Sequence, residues 1–132
     1  MTPRIVLLYA ALLGLILVYL SYRVVSYRVK YKVGIGDGGN TKLARAIRVQ
    51  GNFVEYVPIA LLLILFVELA GFSAWVVHVL GVTLLAGRVW HAQGLGTSSG
   101  TSQGRFVGTF SSWFIIGTAA ILCLLAIAGV TF

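Results

Sequence analysis

The chain has 132 residues, 59% of them hydrophobic and 10% charged, with a mean hydropathy of +0.99. Soluble domains average about 45–50% apolar and about 25% charged residues, so a water-soluble globule is excluded and one membrane-embedded bundle, with no second domain, is expected from the length. Ten Lys and Arg against three acids give a formal charge of +7, but the bases follow the loops instead of covering a soluble face, which argues against a nucleic-acid partner.

The first apolar segment covers residues 5 to about 22, and its helix extends to about residue 30. Arg4 is the only charge before it, no small-x-small cleavage site comes after it, and it exceeds the roughly 7–15-residue apolar core of a signal peptide, so an uncleaved first membrane helix is expected. It ends in YLSYRVVSYRVKYKV, where Tyr19, Tyr22 and Tyr27 suit an interfacial belt and Arg28, Lys30 and Lys32 lie beside headgroups. GIGDGGN, residues 34–40, lacks the spacing of a phosphate-binding loop and no strand precedes it, so it reads as a flexible turn. Asn40 or Thr41 can cap the next helix.

The second helix is expected over about 42–70. At 1.5 Å per residue it is about 43 Å long, more than the roughly 30 Å hydrocarbon core, so its first turns stand in the interface. Arg45, Arg48, Asn52 and Glu55 are spaced 3, 4 and 3 apart and form one stripe, with Tyr56 on its border. Pro58 removes an amide donor from the turn below, where a kink is expected. The short ELAGFSAW connection makes a tight hairpin, and Glu68 within it reads as a solvated interfacial carboxylate.

The third helix, about 72–93, ends in GRVWHAQGLG and brings Arg88 and His91 onto one face. Residues 96–104, GTSSGTSQG, form by composition a Ser/Gly linker: a loose loop, or a mobile cover over whatever the polar stripe binds. Arg105 opens the fourth helix, about 105–131, and Gly104 and Gly108 make one G-x-x-x-G, a hint of close helix packing. Cys123, the single cysteine, lies among Leu and Ala and reads as a packing residue. The fold class is therefore an all-α integral membrane protein, a bundle of four transmembrane helices. Nine of the ten basic residues fall on one side of it and Arg4 on the other, which orients both termini outside and both long connections in the cytoplasm.

At the basic end the helices gather Arg28, Arg48, Gln50, Asn52, Glu55, Tyr56, Arg88, His91 and Arg105. Ionisable groups at membrane depth are costly and mark either pairing or function. A structural cluster, with Glu55 paired to Arg48 or Arg88, and a binding site for an anion carrying several carboxylates and an ammonium, such as a small zwitterionic peptide, both satisfy this pattern. No metal site is expected.

RAIRVQGNFVEYVPIALLLILFVELAG resembles the signature of the membrane-associated proteins in eicosanoid and glutathione metabolism, the MAPEG family, whose motif reads R-x-x-x-N-x-x-E-[YN]-x-P at the head of the second helix. Arg48, Asn52, Glu55, Tyr56 and Pro58 match it. GIGDGGN looks like the small bacterial branch. The resemblance implies a homotrimer of four-helix subunits in the bacterial inner membrane. It implies glutathione as co-substrate between neighbouring subunits, reached from the cytoplasm and held by Arg48, Asn52, Glu55 and Tyr56 with Gln50 beside them. Arg28 resembles the family's first-helix arginine, and Arg105 the arginine that stabilises the glutathione thiolate, the catalytic role. At the two positions where the leukotriene-synthase branch has tyrosines stand His91 and Leu95, so eicosanoid specificity is not expected; Arg88 and His91 are counted with the glutathione-binding set.

The activity implied is a glutathione transferase, with peroxidase chemistry as a variant, acting on a hydrophobic or lipid substrate from the bilayer in detoxification. A non-catalytic lipid- or glutathione-binding member of the same family is the alternative. A small multidrug transporter, which also has four helices, ranks lower because such exporters need a carboxylate in the first helix and residues 5–22 contain none.

Overall fold

A polar backbone in a solvent without hydrogen-bond partners must satisfy its amides internally, and the described residues form four α-helices and no strand. The computed structural model describes residues 2–97 and 103–132, and of 95–97, 103 and 105 the backbone alone. The helices are α1 (Arg4–Tyr31), α2 (Thr41–Leu69), α3 (Ala74–Thr97) and α4 (Gln103–Ile127). All four are long and apolar enough to cross a bilayer. Part of the Ser/Gly linker expected over 96–104 is thus helical, and its centre, 98–102, lies outside the described residues.

Helices α2 and α3 form the centre of the bundle: each packs against the other three, while α1 and α4 do not touch among the described residues. On α2 the reason is periodicity: Ala46, Val49, Phe53, Val57, Ala60, Ile64 and Val67 recur at three- and four-residue steps and are all buried. From Val49 onward they meet Leu13, Val77, Leu84 and Ala119 of the other helices in one core, while Ala46 joins Val24 and Leu43 in a smaller cluster at the basic end. Residues such as Leu15, Val18, Phe114 and Leu124 face outward, as a chain dissolved in lipid permits. Helix α2 runs without interruption through Pro58.

Local chemistry fixes the turn at the basic end. Helix α1 ends at Lys32 in the left-handed conformation (φ 55°), with Val33 N donating to Arg28 O at 3.0 Å and Lys32 N to Val29 O at 3.3 Å, a Schellman closure. Asn40 caps α2, its side chain accepting from Leu43 N at 3.0 Å.

At the opposite end the structure corrects the reading of Glu68. It is 8% exposed, and its carboxylate accepts from Ile5 N at 2.9 Å and Val6 N at 2.7 Å. Helix α1 has no side-chain cap of its own and no acid in its first turn; a carboxylate from α2 takes that role and complements the positive end of its dipole. Nearby, Tyr9 Oη and His78 Nδ1 lie 2.9 Å apart and tie α1 to α3, a pair that sequence reasoning missed.

Four helix glycines sit where a side chain would meet a neighbouring helix: Gly87, whose Cβ would strike the Ser111 side chain, and three others. A Cβ on Gly81 would collide with the Tyr9 ring, one on Gly104 would lie 3.0 Å from Gly94 Cα, and one on Gly108 would strike the His91 side chain and come within 2.9 Å of Gly87 O. The G-x-x-x-G hint thus corresponds to a real α3–α4 seam. Gly108→Ala should lower the thermal midpoint in detergent, because overpacking at about 1–3 kcal/mol outweighs the roughly 1 kcal/mol gained in helix propensity. Gly117→Ala, where a Cβ meets nothing within 4 Å, should leave the midpoint unchanged or raise it. Equal behaviour of the two variants would count against the seam.

Candidate functional site

The polar stripe on α2 does not face one way. Arg48 and Glu55 are exposed at its outer edge and pair at 3.2 Å. Asn52, one turn from each, is 5% exposed and points inward. Arg45 and Tyr56 lie between these extremes, half-buried, and Arg45 Nε is buried without a hydrogen-bond partner among the described residues. Residues at 3-4-3 spacing spread over about 100° of helix surface, enough to straddle the line where that surface passes from lipid-facing to core.

The inward edge meets a buried arginine. Arg88, 2% exposed, donates from Nη1 to Asn52 Oδ1 at 2.7 Å and from Nη2 to Gly108 O at 2.7 Å. One guanidinium therefore ties α2, α3 and α4 together. Its fork geometry suits this position, since two nitrogens in a fixed plane reach two helices from a third. No carboxylate offsets its charge by a salt bridge among the described residues, and its Nε is buried and unpaired.

The remaining candidates are dispersed. Arg28 turns to its own loop, where Nη1 donates to the carbonyls of Val33, Gly34 and Gly36 at 3.4, 3.3 and 2.9 Å. Gln50 faces α1 and donates to Ser21 Oγ at 2.8 Å. His91 is 4% exposed and packs on the α3–α4 seam against Gly108. The Arg105 side chain lies outside the described residues; its backbone is in the first turn of α4, three residues before the Gly108 carbonyl that Arg88 holds. The structure thus joins Arg48 to Glu55 and Asn52 to Arg88, and places Arg28, Gln50 and His91 on other contacts.

Two clefts run along one face of α2. At the basic end a cleft of about 330 Å³ is lined by Gly36 and Asp37 of the turn and by Ala44, Ile47, Arg48 and Gly51. Further along, an apolar groove of about 210 Å³ runs between Gly14 and Leu17 of α1 and Val54, Pro58 and Leu61 of α2. Positions 44, 48, 51, 55, 58 and 61 advance by three or four along one side of the helix, so a cleft carrying Asp37 and Arg48 lies above a wholly apolar one, with Glu55 at a level between them. Such a succession suits a water-soluble ligand meeting a lipid-soluble one.

The sequence model of the MAPEG family matches residues 6–125. Two relatives, each an "Inner membrane protein YecN", one from Escherichia coli K12 and one from Escherichia coli O6:H1, are 51% identical to the chain over 87 residues. That match covers 66% of this chain and 66% of each relative, just under two thirds of their length. Four spans, the second-helix motif and a family match over nearly the whole sequence agree: the chain is a multi-pass integral membrane protein and belongs to the MAPEG family.

Proposed function

We propose that this protein is an inner-membrane glutathione transferase. It takes glutathione from the cytoplasm and an apolar electrophile from the bilayer, forms the carbon–sulfur bond, and releases the electrophile's leaving group; a hydroperoxide reduced at glutathione's expense is the variant reaction. The observation that carries this reading is the placement of Arg48, Asn52, Glu55 and Tyr56 on the turns of α2 where exposed surface meets buried core, with cations in excess over carboxylates. Glutathione carries two carboxylates and one ammonium. Arg48 suits the former and Glu55 the latter, so the ligand exchanges their mutual pair for two of its own. The unpaired Arg45 Nε supports an anionic guest at this end. Asn52 and Arg88 hold the floor beneath it.

Assembly as a homotrimer, with both termini outside, completes the site by laying a second copy's surface, Arg28 and Gln50 included, across the exposed Arg48–Glu55 edge. Arg105 serves as the thiolate stabiliser. A thiol of pKa about 8.5 is about 3% ionised at pH 7, and lowering it to about 6.5 raises the thiolate roughly 25-fold. A Brønsted slope of about 0.4–0.5 takes back roughly eightfold. Arg105 by this route contributes only a few-fold, whereas holding both reactants in attack geometry supplies up to about 7–11 kcal/mol. The α2 residues therefore matter more than the thiolate stabiliser.

Titration of detergent-purified protein with glutathione, followed by thiolate absorbance near 240 nm, should saturate. Arg48→Ala and Glu55→Ala, both at exposed positions, should weaken binding at least tenfold with unchanged thermal midpoints. Unaltered binding in both variants would remove the basis of the proposal. Turnover of a chlorodinitrobenzene-type electrophile then separates a transferase from a protein that only binds.

A further inference from the structure

A third cleft lies away from the α2 face. It opens between α1 and α3 at the basic end, has a volume of about 670 Å³, and is lined by Tyr19, Arg23 and Tyr27 on one side and by Val89, Ala92 and Gln93 on the other, over an apolar floor that includes Leu20. That volume lies within the roughly 300–1,000 Å³ of ordinary ligand pockets.

Arg23 sets it apart. Of the other arginines described at this end, Arg28 is held by loop carbonyls, Arg48 by Glu55 and Arg88 by Asn52 and Gly108, while Arg45, with its unpaired Nε, belongs to the α2 face and not to this cleft. Arg23 is half-buried and makes no hydrogen bond or ion pair among the described residues. Its depth is fixed by α1. Nineteen residues separate it from Arg4, about 28 Å at 1.5 Å per residue, against a hydrocarbon core of about 30 Å. With Arg4 at one boundary, the Arg23 backbone sits at the opposite edge of the hydrocarbon core, from which its long side chain reaches the phosphate level, with an interfacial tyrosine one turn to either side. Beyond it the floor runs back toward the bilayer centre through Leu20 and Ile16.

We infer that this α1–α3 cleft binds the headgroup of an anionic membrane phospholipid, with the phosphate on Arg23 and the first carbons of an acyl chain over Leu20 and Ile16. A cation at the phosphate level, flanked by tyrosines and continuous with an apolar floor, matches that amphiphile from end to end. Among the described residues no acid lines the cleft, and Arg23 attracts a lipid of net negative charge where a zwitterion has none to offer, so an anionic lipid is favoured over a zwitterionic one. The same lack disfavours glutathione, whose ammonium finds no partner there. This inference is independent of the transferase reading.

Native mass spectrometry of the detergent-purified protein with phosphatidylglycerol, phosphatidylcholine and soluble glycerol phosphate tests it. Phosphatidylglycerol should bind at least about tenfold more tightly than phosphatidylcholine. Arg23→Gln should lose about fivefold for phosphatidylglycerol, the effect of one basic residue at an anionic surface, and nothing for phosphatidylcholine. Lys30→Gln, an equal change in net charge outside the cleft, should stay within twofold of the native protein. Ala92→Trp keeps the charge, fills the cleft, and should weaken both lipids. Unchanged phosphatidylglycerol affinity in Arg23→Gln would overturn the inference. So would glycerol phosphate competing as well as the lipid, which would identify a free anion as the ligand, or a photo-crosslinker at Tyr19 capturing a second copy of the chain in place of lipid.

Discussion

Asn52→Leu should destabilise the protein more than Arg88→Met, although the arginine is the larger side chain. Asn52 supplies the 2.7 Å acceptor for a guanidinium that is 2% exposed and has no carboxylate partner among the described residues. Removing the partner of a buried charge costs about 3–5 kcal/mol, because the charge stays behind. Arg88→Met removes the charge itself. It orphans less than it first suggests, since the Gly108 carbonyl keeps Ser111 Oγ at 2.9 Å and Ser112 Oγ at 3.1 Å, and only the Asn52 amide loses a partner, at about 1–3 kcal/mol. The double variant Asn52→Leu/Arg88→Met should recover most of the loss, because a packed apolar pair is often neutral or better than a buried polar one. Unfolding in detergent, followed through the three tryptophans, measures the cycle. If Arg88→Met added to Asn52→Leu lowers stability further, the buried guanidinium does not depend on Asn52 for its compensation.

The same variants bear on function. In a stable Asn52→Leu/Arg88→Met protein, retained glutathione binding would confine these two residues to support of the bundle. Lost binding with an intact fold would mean that they reach the ligand, which requires the core to open beside α2. The exposed pair, Arg48 and Glu55, carries no such ambiguity: neither holds a second helix, so a change in binding there is a change in the site.

The four helices were legible because the bilayer imposes one rule on every long apolar run, and a run such as IALLLILF can satisfy it in one way. The α3–α4 seam was legible in part, since Gly104 and Gly108 announce close approach without naming the partner. The stripe on α2 was legible as a stripe, but not as an exposed edge beside a buried one. Spacing gives angles on a helix and leaves open where neighbouring helices cut across them, so Asn52 and Glu55 look equivalent until α3 and α4 are packed. The fate of Arg28 was hidden for a different reason: it folds back on carbonyls of the turn after its own helix, a contact set by the left-handed Lys32 and the glycines beyond it. Glu68 was misread because its partners are 62 and 63 residues away. One signal did point to them. An acid in the last turn of a helix opposes that helix's own dipole, so a carboxylate at this place in α2 implies some other positive group, and the first turn of α1 is the one it meets.

Glu68→Ala is accordingly expected to loosen the terminal end of the bundle and leave the basic end intact. The variant strands two α1 amides, Ile5 N and Val6 N, that have no side-chain cap of their own helix to fall back on. Hydrogen bonds to a charged group contribute about 1.5–3 kcal/mol each, and relief of the unfavourable charge at the end of α2 returns about 0.3–1 kcal/mol. Water reaching an interfacial helix end returns more, so the net loss should be about 2–3 kcal/mol, above the roughly 1 kcal/mol of an ordinary cap. Glu68→Gln should fall closer to Ala than to the native protein, because its amide nitrogen turns a donor toward one of the two donors it must satisfy. Hydrogen exchange distinguishes this local effect from general weakening: the amides of Ile5 and Val6 should exchange faster in both variants, while those around Leu84, fully buried in the core, keep their protection. Native exchange rates at Ile5 and Val6 in Glu68→Ala would mean that α1 does not depend on α2 for its cap.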